Sequence, residues 1–465
     1  MANPDQTTAS PGLEAFGYRQ ELKRSLGLRD LLIYGLIFIV PVAPFSVFGL
    51  VFNASAGMVP FIYLVGLAAM IFTALSYMAM SEAFPIAGSV YSYASRSLGE
   101  AAGFFAGWGI LLDYLLIPAL SYVVCAIALN AEWPQIPKSA AMVVFLGFST
   151  FINYWGIEAS ARANIVMLVV QVVILVVFIA GGAMALHHGV AGAHLSTAPF
   201  LNPAHVSPGL VFGALSVAVL SFLGFDAIST LAEETKGGPK VVGRATMLSL
   251  CISAVFFVAQ TYMACLFVPG RTSFPTGDET DSAFYNIANT IGGGSLKFLA
   301  AVPGAVLSGV AGALTAQAAT ARLLYGMARD GKLPRFLAYV DPKHQVPSRA
   351  VFLVAAITLV LGLLLVDQLE LLASMVNFGA LIGFLLLHVS VVAHFIIRQK
   401  SRRWIRHFVV PVIGFAIVAY VLVNAGRPAK IAGLCWLGAG AGALLVLKFR
   451  AWRLRKVGPP TVGSR

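Results

Sequence analysis

Residues 41–44 read Pro41-Val42-Ala43-Pro44, and they interrupt an apolar stretch that runs from Leu31 to Phe52. A second apolar stretch, from Leu210 to Leu231, is interrupted by Ser221-Phe222-Leu223-Gly224-Phe225-Asp226. Unpaired backbone groups are costly in a lipid bilayer, so a spanning helix unwinds only where protein or water satisfies them. Interruptions at corresponding places in two halves of a chain indicate a ligand site near the middle of the membrane. We therefore expect a site where the two interruptions meet.

The composition is that of a membrane protein. Of 465 residues, 59% are hydrophobic and 11% are charged, and the mean hydropathy is +0.86. A spanning helix needs about 20 mostly apolar residues, and about twelve segments meet that requirement. These predicted spans lie near 31–53, 59–83, 101–129, 140–156, 163–186, 209–231, 243–268, 298–326, 349–366, 370–396, 406–424 and 430–448. We predict an all-α polytopic membrane protein.

The basic residues predict the orientation of the chain. Most of the 31 lysines and arginines fall on the N-terminal side of the membrane if the predicted spans alternate in direction. Cytoplasmic loops are enriched in these residues, so we expect both termini to be cytoplasmic, in the inner membrane of a cell. Residues 1–28 and 457–465 would be flexible tails. The net charge of +12 then reflects topology and contact with membrane lipid rather than nucleic-acid binding.

Short loops between the spans predict one transmembrane domain over residues 29–456. Spans one to five, about 29–186, and spans six to ten, about 209–396, would form two repeats. The repeats would have opposite orientations in the membrane, because each contains an odd number of spans. The last two spans, about 406–448, are then additional helices.

Enzyme chemistry is not indicated by any motif in the chain. We find no nucleotide-binding loop, no pairing of a nucleophile with a base and no cluster of metal ligands. The cysteines lie inside predicted spans at no metal-ligand spacing; they are Cys125, Cys251, Cys265 and Cys435. We expect neither a metal nor a cofactor, and we predict that the protein is not an enzyme.

Two carboxylates lie deep inside predicted spans, where an ionisable group is costly and is a functional candidate by default. Asp113 lies near the middle of the third span, beside Tyr114. Asp226 lies at the second interruption, where it could instead cap the restarted helix by accepting freed backbone N–H groups. Both interpretations of Asp226 stay open at this stage. Asp113 has no helix end to cap, so we favour a functional role for it.

The first interruption narrows the chemistry of the ligand. The N-terminus of a half-helix commonly binds a carboxylate through free N–H groups and its positive dipole. Pro41 and Pro44 have no N–H group, and no glycine between them allows close approach of an anion. The site therefore offers carbonyl oxygens and buried carboxylates. We expect a cationic amine rather than an amino-acid zwitterion.

Aromatic and acidic residues near the interruptions have two interpretations each. Trp108, Phe222 and Phe225 could contact an amine through cation–π interactions, although packing in the core is the alternative. The acidic residues at the ends of spans favour gating or interfacial ion pairs over ligand contact; they are Glu82, Glu158, Glu233 and Glu234. Their expected partners are neighbours such as Lys236, Lys240 and Arg244.

Three motifs, spread over most of the chain, resemble those of a known superfamily. They are Ala74-Leu75-Ser76-Tyr77 with Phe84-Pro85-Ile86-Ala87-Gly88-Ser89-Val90-Tyr91, the segment 221–226 with Glu233-Glu234, and Arg322-Leu323-Leu324-Tyr325-Gly326-Met327-Ala328-Arg329-Asp330-Gly331. On these motifs the chain resembles the amino acid–polyamine–organocation superfamily. Two further segments look most like those of bacterial putrescine importers; they are Leu112-Asp113-Tyr114-Leu115 and Asn377-Phe378-Gly379-Ala380-Leu381.

The resemblance implies the leucine-transporter-type fold, a five-plus-five inverted repeat with two extra helices, together with alternating access and usually proton coupling. The chain departs from the superfamily pattern at two places. Amino-acid transporting members typically have glycines where this chain has residues 41–44. Many proton-coupled members have a lysine in span five, near the position of Gln171. The lack of a buried cation suits a cationic substrate, and Gln171 becomes a coupling candidate beside the glutamates.

Together these features predict a proton-coupled secondary transporter that imports putrescine or a related polyamine. Asp113 and Asp226 would attract the ammonium groups, while Tyr114 and Phe225 would pack on the methylene chain. Further contacts are expected from both interruptions and span ten, namely Pro41, Val42, Ala43, Pro44, Ser221, Phe222, Gly224 and Asn377. The alternative is a proton-coupled amino-acid permease or an amino-acid/amine exchanger.

Overall fold

The computed structural model describes residues 13–133, 135–202, 206–366 and 368–456. Within these ranges the chain is helical and forms no β-strand, apart from an isolated parallel bridge between Leu26 and Thr235. The α-helices are α1 Leu28–Ile39, α2 Pro44–Ala54, α3 Val59–Ala83, α4 Ser89–Leu98, α5 Glu100–Glu132, α6 Lys138–Trp155, α7 Ile157–His187, α8 Pro208–Ala218, α9 Lys240–Leu266, α10 Asp278–Asp281, α11 Ala283–Arg329, α12 Ser348–Leu364, α13 Leu369–Val391, α14 Val410–Val423 and α15 Arg427–Lys456.

Shorter helices of other types complete the architecture. The 3₁₀ segments are Leu13–Phe16, Val190–Gly192, Val219–Phe222, Phe225–Glu234 and Arg335–Ala338. Two π-helical segments, Val392–Arg398 and Ile405–Val409, adjoin α13 and α14. They lie at the turn between the tenth and eleventh predicted spans.

The apolar helices coincide with the predicted spans. Seven described helical segments are long and apolar enough to cross a membrane, and the pair α1 and α2, bent by 55°, brings the number to eight. The remaining predicted spans coincide with α6, with α12, with α15 and with the part of α11 beyond its bend at Gly292 and Gly293. The prediction of an all-α polytopic membrane protein is confirmed.

The first interruption is a strained turn between α1 and α2. Val40 has φ +62°, a left-handed conformation that a β-branched residue rarely adopts. Pro44 then begins α2 in the first turn, where its fixed φ suits a helix and its missing N–H is not needed. The freed carbonyl of Pro41 accepts the side-chain amide of Gln260, from α9, at 2.9 Å. A protein side chain therefore satisfies the hydrogen bonding of this freed carbonyl at the break.

The second interruption depends on one glycine. Gly224 has φ +113°, and it separates the 3₁₀ segment that ends at Phe222 from the one that begins at Phe225. A Cβ atom at Gly224 would lie 2.1 Å from Cδ1 of Phe38, near the end of α1. Only a glycine fits there, and the two interruptions lie close together, as the sequence predicts.

Residues 13–27 form a segment that we call the N-terminal strap, on the side of the membrane that we call the N-terminal face. The backbone N–H groups of Ser25 and Leu26 donate to the carbonyl of Glu234, each at 3.0 Å. Lys236 N–H donates in turn to the carbonyl of Leu26 at 2.7 Å. Leu22 and Leu26 are buried. The expectation of a flexible tail is therefore wrong for the strap, while residues 1–12 and 457–465 lie outside the described residues.

Candidate functional site

Asp226 lies in the first turn after the second interruption and is fully buried. Its Oδ1 accepts the backbone N–H of Gly224 at 3.3 Å, and its Oδ2 accepts the hydroxyl of Tyr114 at 2.6 Å. The first bond is the capping contact considered above. The second bond comes from α5, so the carboxylate also links the interruption to the helix that carries Asp113.

Asp113 lies in α5, is 1% exposed, and neither of its carboxylate oxygens has a hydrogen-bond partner. The backbone here is closely packed, since a Cβ at Gly379 of α13 would lie 2.6 Å from the nitrogen of Asp113. Asp113 and Asp226 are close enough to interact electrostatically. Neither forms an ion pair within the described ranges. A buried ionised carboxylate without a donor is costly, so this site is well suited to receive a cationic donor.

Three aromatic rings from three elements pack beside the carboxylates. The ring of Tyr77 in α3 lies 6.1 Å from the ring of Phe225 and 6.1 Å from that of Phe384 in α13, and Phe225 and Phe384 are 5.8 Å apart. All three side chains are buried, and the Tyr77 hydroxyl has no partner. Tyr77 also interacts electrostatically with both Asp113 and Asp226. This three-ring cluster offers an apolar surface next to two acidic groups.

The sequence did not point to two members of that cluster as site residues. Tyr77 belongs to one of the superfamily motifs, which was its only signal, and its side chain is buried inside the protein. Phe384 carries no signal that separates it from the other phenylalanines of the chain. Phe38 was also missed; its ring lies 6.2 Å from that of Tyr114, on the side of α1.

Two residues of the second interruption make contacts elsewhere. The ring of Phe222 lies 5.9 Å from Tyr63 and 5.3 Å from Phe257, between α3 and α9. The Ser221 hydroxyl is 3.0 Å from that of Tyr63. Both predicted ligand contacts are thus occupied by protein groups in this conformation.

Trp108 does not line the carboxylate site either. Its indole stacks on that of Trp436 in α15, with centroids 4.8 Å apart. Each indole N–H donates to the backbone carbonyl of the other residue, at 2.8 and 2.7 Å. Core packing is therefore the correct interpretation of Trp108.

The other predicted ligand contacts, Asn377 and the residues of the first interruption, also form hydrogen bonds to protein groups. The amide nitrogen of Asn377 donates to the carbonyl of Ser216 at 3.1 Å, which joins α13 to α8, while its oxygen has no partner. In the first interruption, Val42 is buried and its carbonyl accepts the N–H of Phe45 at 3.0 Å. Ala43 N–H donates to the carbonyl of Val40 at 2.8 Å.

Both glutamates that end the broken helix form buried ion pairs with α11. Arg322 makes two hydrogen bonds to Glu234, one of them from Nη2 to Oε2 at 3.0 Å. Arg329 makes two to Glu233, at 2.7 and 3.0 Å, and both glutamates are fully buried. The predicted partners were wrong, because this 3₁₀ helix ends against α11 while the candidates beyond it are exposed; those candidates are Lys236, Lys240 and Arg244.

The remaining coupling candidates differ in environment. Glu82 pairs with Arg406 at 2.9 Å, with 28% and 33% of the side chains exposed, and so joins α3 to the segment Ile405–Val409. Gln171 in α7 is fully buried, and neither its amide oxygen nor its amide nitrogen has a partner. Among the described residues, no group of three or more histidines, cysteines, aspartates or glutamates could hold a metal ion.

A bundle of spanning helices with two mid-membrane interruptions around a buried polar site has the architecture of a secondary transporter. Comparison with known proteins identifies the family. The profile of the amino acid permease family matches residues 39–426, and the chain belongs to this family. The resemblance to the amino acid–polyamine–organocation superfamily is thereby confirmed.

Similar curated proteins are bacterial transporters. The chain is 34% identical to the low-affinity putrescine importer PlaP of Escherichia coli (strain K12), over 91% of this chain and 93% of that protein. It is 27% identical to the branched-chain amino acid permease BcaP of Bacillus subtilis (strain 168), over 90% and 92% of the two chains. It is also 27% identical to the methylthioribose transporter of that organism, over 92% and 94%. The protein is thus a multi-pass membrane transporter and not an enzyme.

Proposed function

We propose that the protein imports putrescine or a closely related diamine across the bacterial inner membrane, by alternating access and with proton coupling. One observation carries the proposal: Asp113 is a buried carboxylate with two unpartnered oxygens, it lies next to Asp226, and it forms no ion pair with any basic side chain in the described part of the chain. An amino-acid zwitterion brings its own carboxylate, which this site has no cation to receive. A diamine brings two donors and no acceptor.

The ligand would lie between the carboxylates and the three-ring cluster. One ammonium group would bind Asp226, beside the Tyr114 hydroxyl, and the other would bind Asp113. The methylene chain would pack on Tyr77, Phe225 and Phe384. An inside-negative potential favours entry of a dication by about 4.6 kcal/mol per 100 mV, since each charge contributes about 2.3 kcal/mol.

Gating in this proposal takes place at the N-terminal face, which would be cytoplasmic. The strap and the buried pairs Arg322–Glu234 and Arg329–Glu233 join α11 to the end of the broken helix. Release of the ligand into the cell would require these contacts to separate. The assignment of about 29–186 and 209–396 as inverted repeats, with both tails in the cytoplasm, stays a prediction.

An amino-acid permease is the second candidate function, because branched-chain amino acid permeases are among the similar proteins. In that case backbone N–H groups near the interruptions would exchange their present partners for an α-carboxylate. Competition for uptake separates the two candidates. Unlabelled putrescine should displace labelled putrescine at concentrations where leucine, arginine and lysine have no effect.

The decisive experiment is counterflow of labelled putrescine into proteoliposomes containing the Asp113→Asn variant. A hydrogen bond to a charged group contributes about 1.5–3 kcal/mol, so apparent affinity should fall by about 10- to 150-fold. Asp281→Asn, an exposed site in α10, is the matched control and should behave like the wild type. If Asp113→Asn and its control transport putrescine equally well, the assigned role of Asp113 is wrong.

A further inference from the structure

Helix α7 carries a row of buried polar side chains that the substrate site does not use. Ser160 is 1% exposed, and Asn164 and Gln171 are fully buried. Every polar side-chain atom of these three residues lacks a hydrogen-bond partner. Their spacings of four and seven residues place them on one face of an α-helix, with Met167 between Asn164 and Gln171 on the same face. We call the three polar residues the α7 row.

The α7 row faces a seam between α1 and α11. Met167, on the same face of α7, packs in one cluster with Ile37 of α1 and with Val310 and Ala311 of α11. Gln171 lies one turn further along α7 than Met167. The first interruption likewise begins within one turn after Ile37.

Both α1 and α7 begin at the N-terminal face and run in the same direction. Helix α1 follows the strap directly, and a Cβ at Gly156, just before α7, would lie 3.5 Å from the carbonyl of His344, in the loop that follows α11. Helix α11 runs antiparallel to α1. The hydroxyl of Tyr34 donates to the carbonyl of Thr315, whereas Ile37, further along α1, packs with Val310, which precedes Thr315 in α11. The α7 row therefore extends about 16 Å from near that face to the height of the first interruption.

The chemistry of the α7 row favours water over other occupants. Each amide offers both donors and an acceptor, and a buried water typically makes two to four hydrogen bonds to otherwise unsatisfied polar groups. A metal cation is disfavoured, because the row contains no carboxylate to neutralise its charge. Lipid chains cannot satisfy any of these groups.

We propose that the α7 row holds a file of water molecules from the N-terminal face to the first interruption, and that this file conducts the coupling proton. The length of the row accommodates about six waters at hydrogen-bonding distance. The proposal that water fills the row rests on the unpartnered polar groups of α7 and on their position beside α1 and α11. The role in proton conduction also rests on the proposed proton-coupled import.

Hydroxyl-radical footprinting tests the water file directly, because bound water delivers radicals to adjacent methionines. The full chain is reconstituted in lipid nanodiscs, and oxidation of Met167, which is 8% exposed, is compared with that of the fully buried Met70 of α3, the loss of the difference in the row variant being the decisive reading. We expect Met167 to oxidise at least fivefold faster than Met70. Ser160→Ala combined with Asn164→Leu should reduce that ratio to below two, whereas Gln399→Leu, at an exposed position, should leave it unchanged.

Transport measurements test the second part. With a proton gradient imposed on proteoliposomes, the Ser160→Ala/Asn164→Leu variant should lose at least tenfold in putrescine accumulation. Its counterflow, which needs no gradient, should stay within twofold of the wild type. The melting temperature should stay close to that of the wild type, because replacing buried polar groups together with their bound waters by apolar side chains is nearly neutral.

The outcomes are distinguishable. Oxidation of Met167 at the rate of Met70 in the wild type would overturn the water file. Fast oxidation of Met167 with undiminished gradient-driven accumulation in the variant would overturn its role in proton conduction. Absence of putrescine counterflow in the wild type would instead refute the proposed function, and footprinting would still decide on the water.

Discussion

The buried pair Arg322–Glu234 provides the sharpest test of the packing at the N-terminal face. Glu234 is fully buried, and 4% of the Arg322 side chain is exposed. Arg322→Met would leave a carboxylate in the interior without its partner. Breaking a buried ion pair in this way costs about 3–5 kcal/mol, whereas replacing both partners by apolar residues is often neutral or stabilising by about 1–4 kcal/mol.

A double-mutant cycle measures this effect. The wild type, Arg322→Met, Glu234→Leu and the double variant are unfolded by titration with SDS, and the free energies of unfolding are compared. Each single variant should lose about 3–5 kcal/mol, and the double variant should recover most of that loss. The half-exposed pair Arg406–Glu82 is the matched control, and the same cycle there should give a coupling energy of about 1 kcal/mol or less.

The comparison between the two cycles decides the outcome. If Arg322→Met destabilises the protein no more than Arg406→Met does, burial does not determine the strength of the pair. The proposal that separating these pairs limits the opening of the N-terminal face would then also fail. A large loss in both single variants without recovery in the double variant would mean that each residue acts through other neighbours.

Two further substitutions test the interruption and the strap. Gly224→Ala places a Cβ 2.1 Å from Cδ1 of Phe38, at a residue with φ +113°. We therefore expect loss of putrescine uptake and a destabilisation of at least about 1–3 kcal/mol. The control Gly213→Ala, with open space around the added Cβ, should have little effect. Leu26→Asp buries a charge beneath the strap and should release the strap, so that trypsin cleaves after Lys23, whereas the control Leu28→Asp, at a 39% exposed position, should leave the strap in place. Equal digestion of the Leu26→Asp and Leu28→Asp variants would show that Leu26 does not hold the strap.

The fold could be predicted largely because its signals are local. Apolar runs of membrane-spanning length define the helices, and prolines and a glycine mark the breaks at residues 41–44 and at Gly224. The deep positions of Asp113 and Asp226 follow from the same runs, because a carboxylate in the middle of a span is conspicuous in any sequence. Their adjacency was not predictable in this way, because it depends on the packing of α5 beside the second interruption, where Tyr114 bonds Asp226.

The missed features depend on contacts between distant segments. Phe384 joins the three-ring cluster only because α13 packs beside α3, and no local pattern marks it. The glutamates of the broken helix pair with α11 because the 3₁₀ helix ends inside the protein. Leu22 and Leu26 are buried leucines of the strap. Two such residues in a largely charged segment are too few to produce a hydrophobic periodicity that predicts a packed element. Local reasoning cannot find such partners.

Helix α15 has a consequence for how this chain can be divided or recombined. Besides the reciprocal bonds between Trp108 and Trp436, a Cβ at Gly440 would lie 2.5 Å from Trp108, and one at Gly433 would lie 2.1 Å from the ring of Phe378. The final helix is thus fitted by two glycine notches to α5 and α13, the helices that carry Asp113 and Phe384. It joins α5 to α13, so a chimera that takes its last helix from a relative should fold and work only if both glycines are kept.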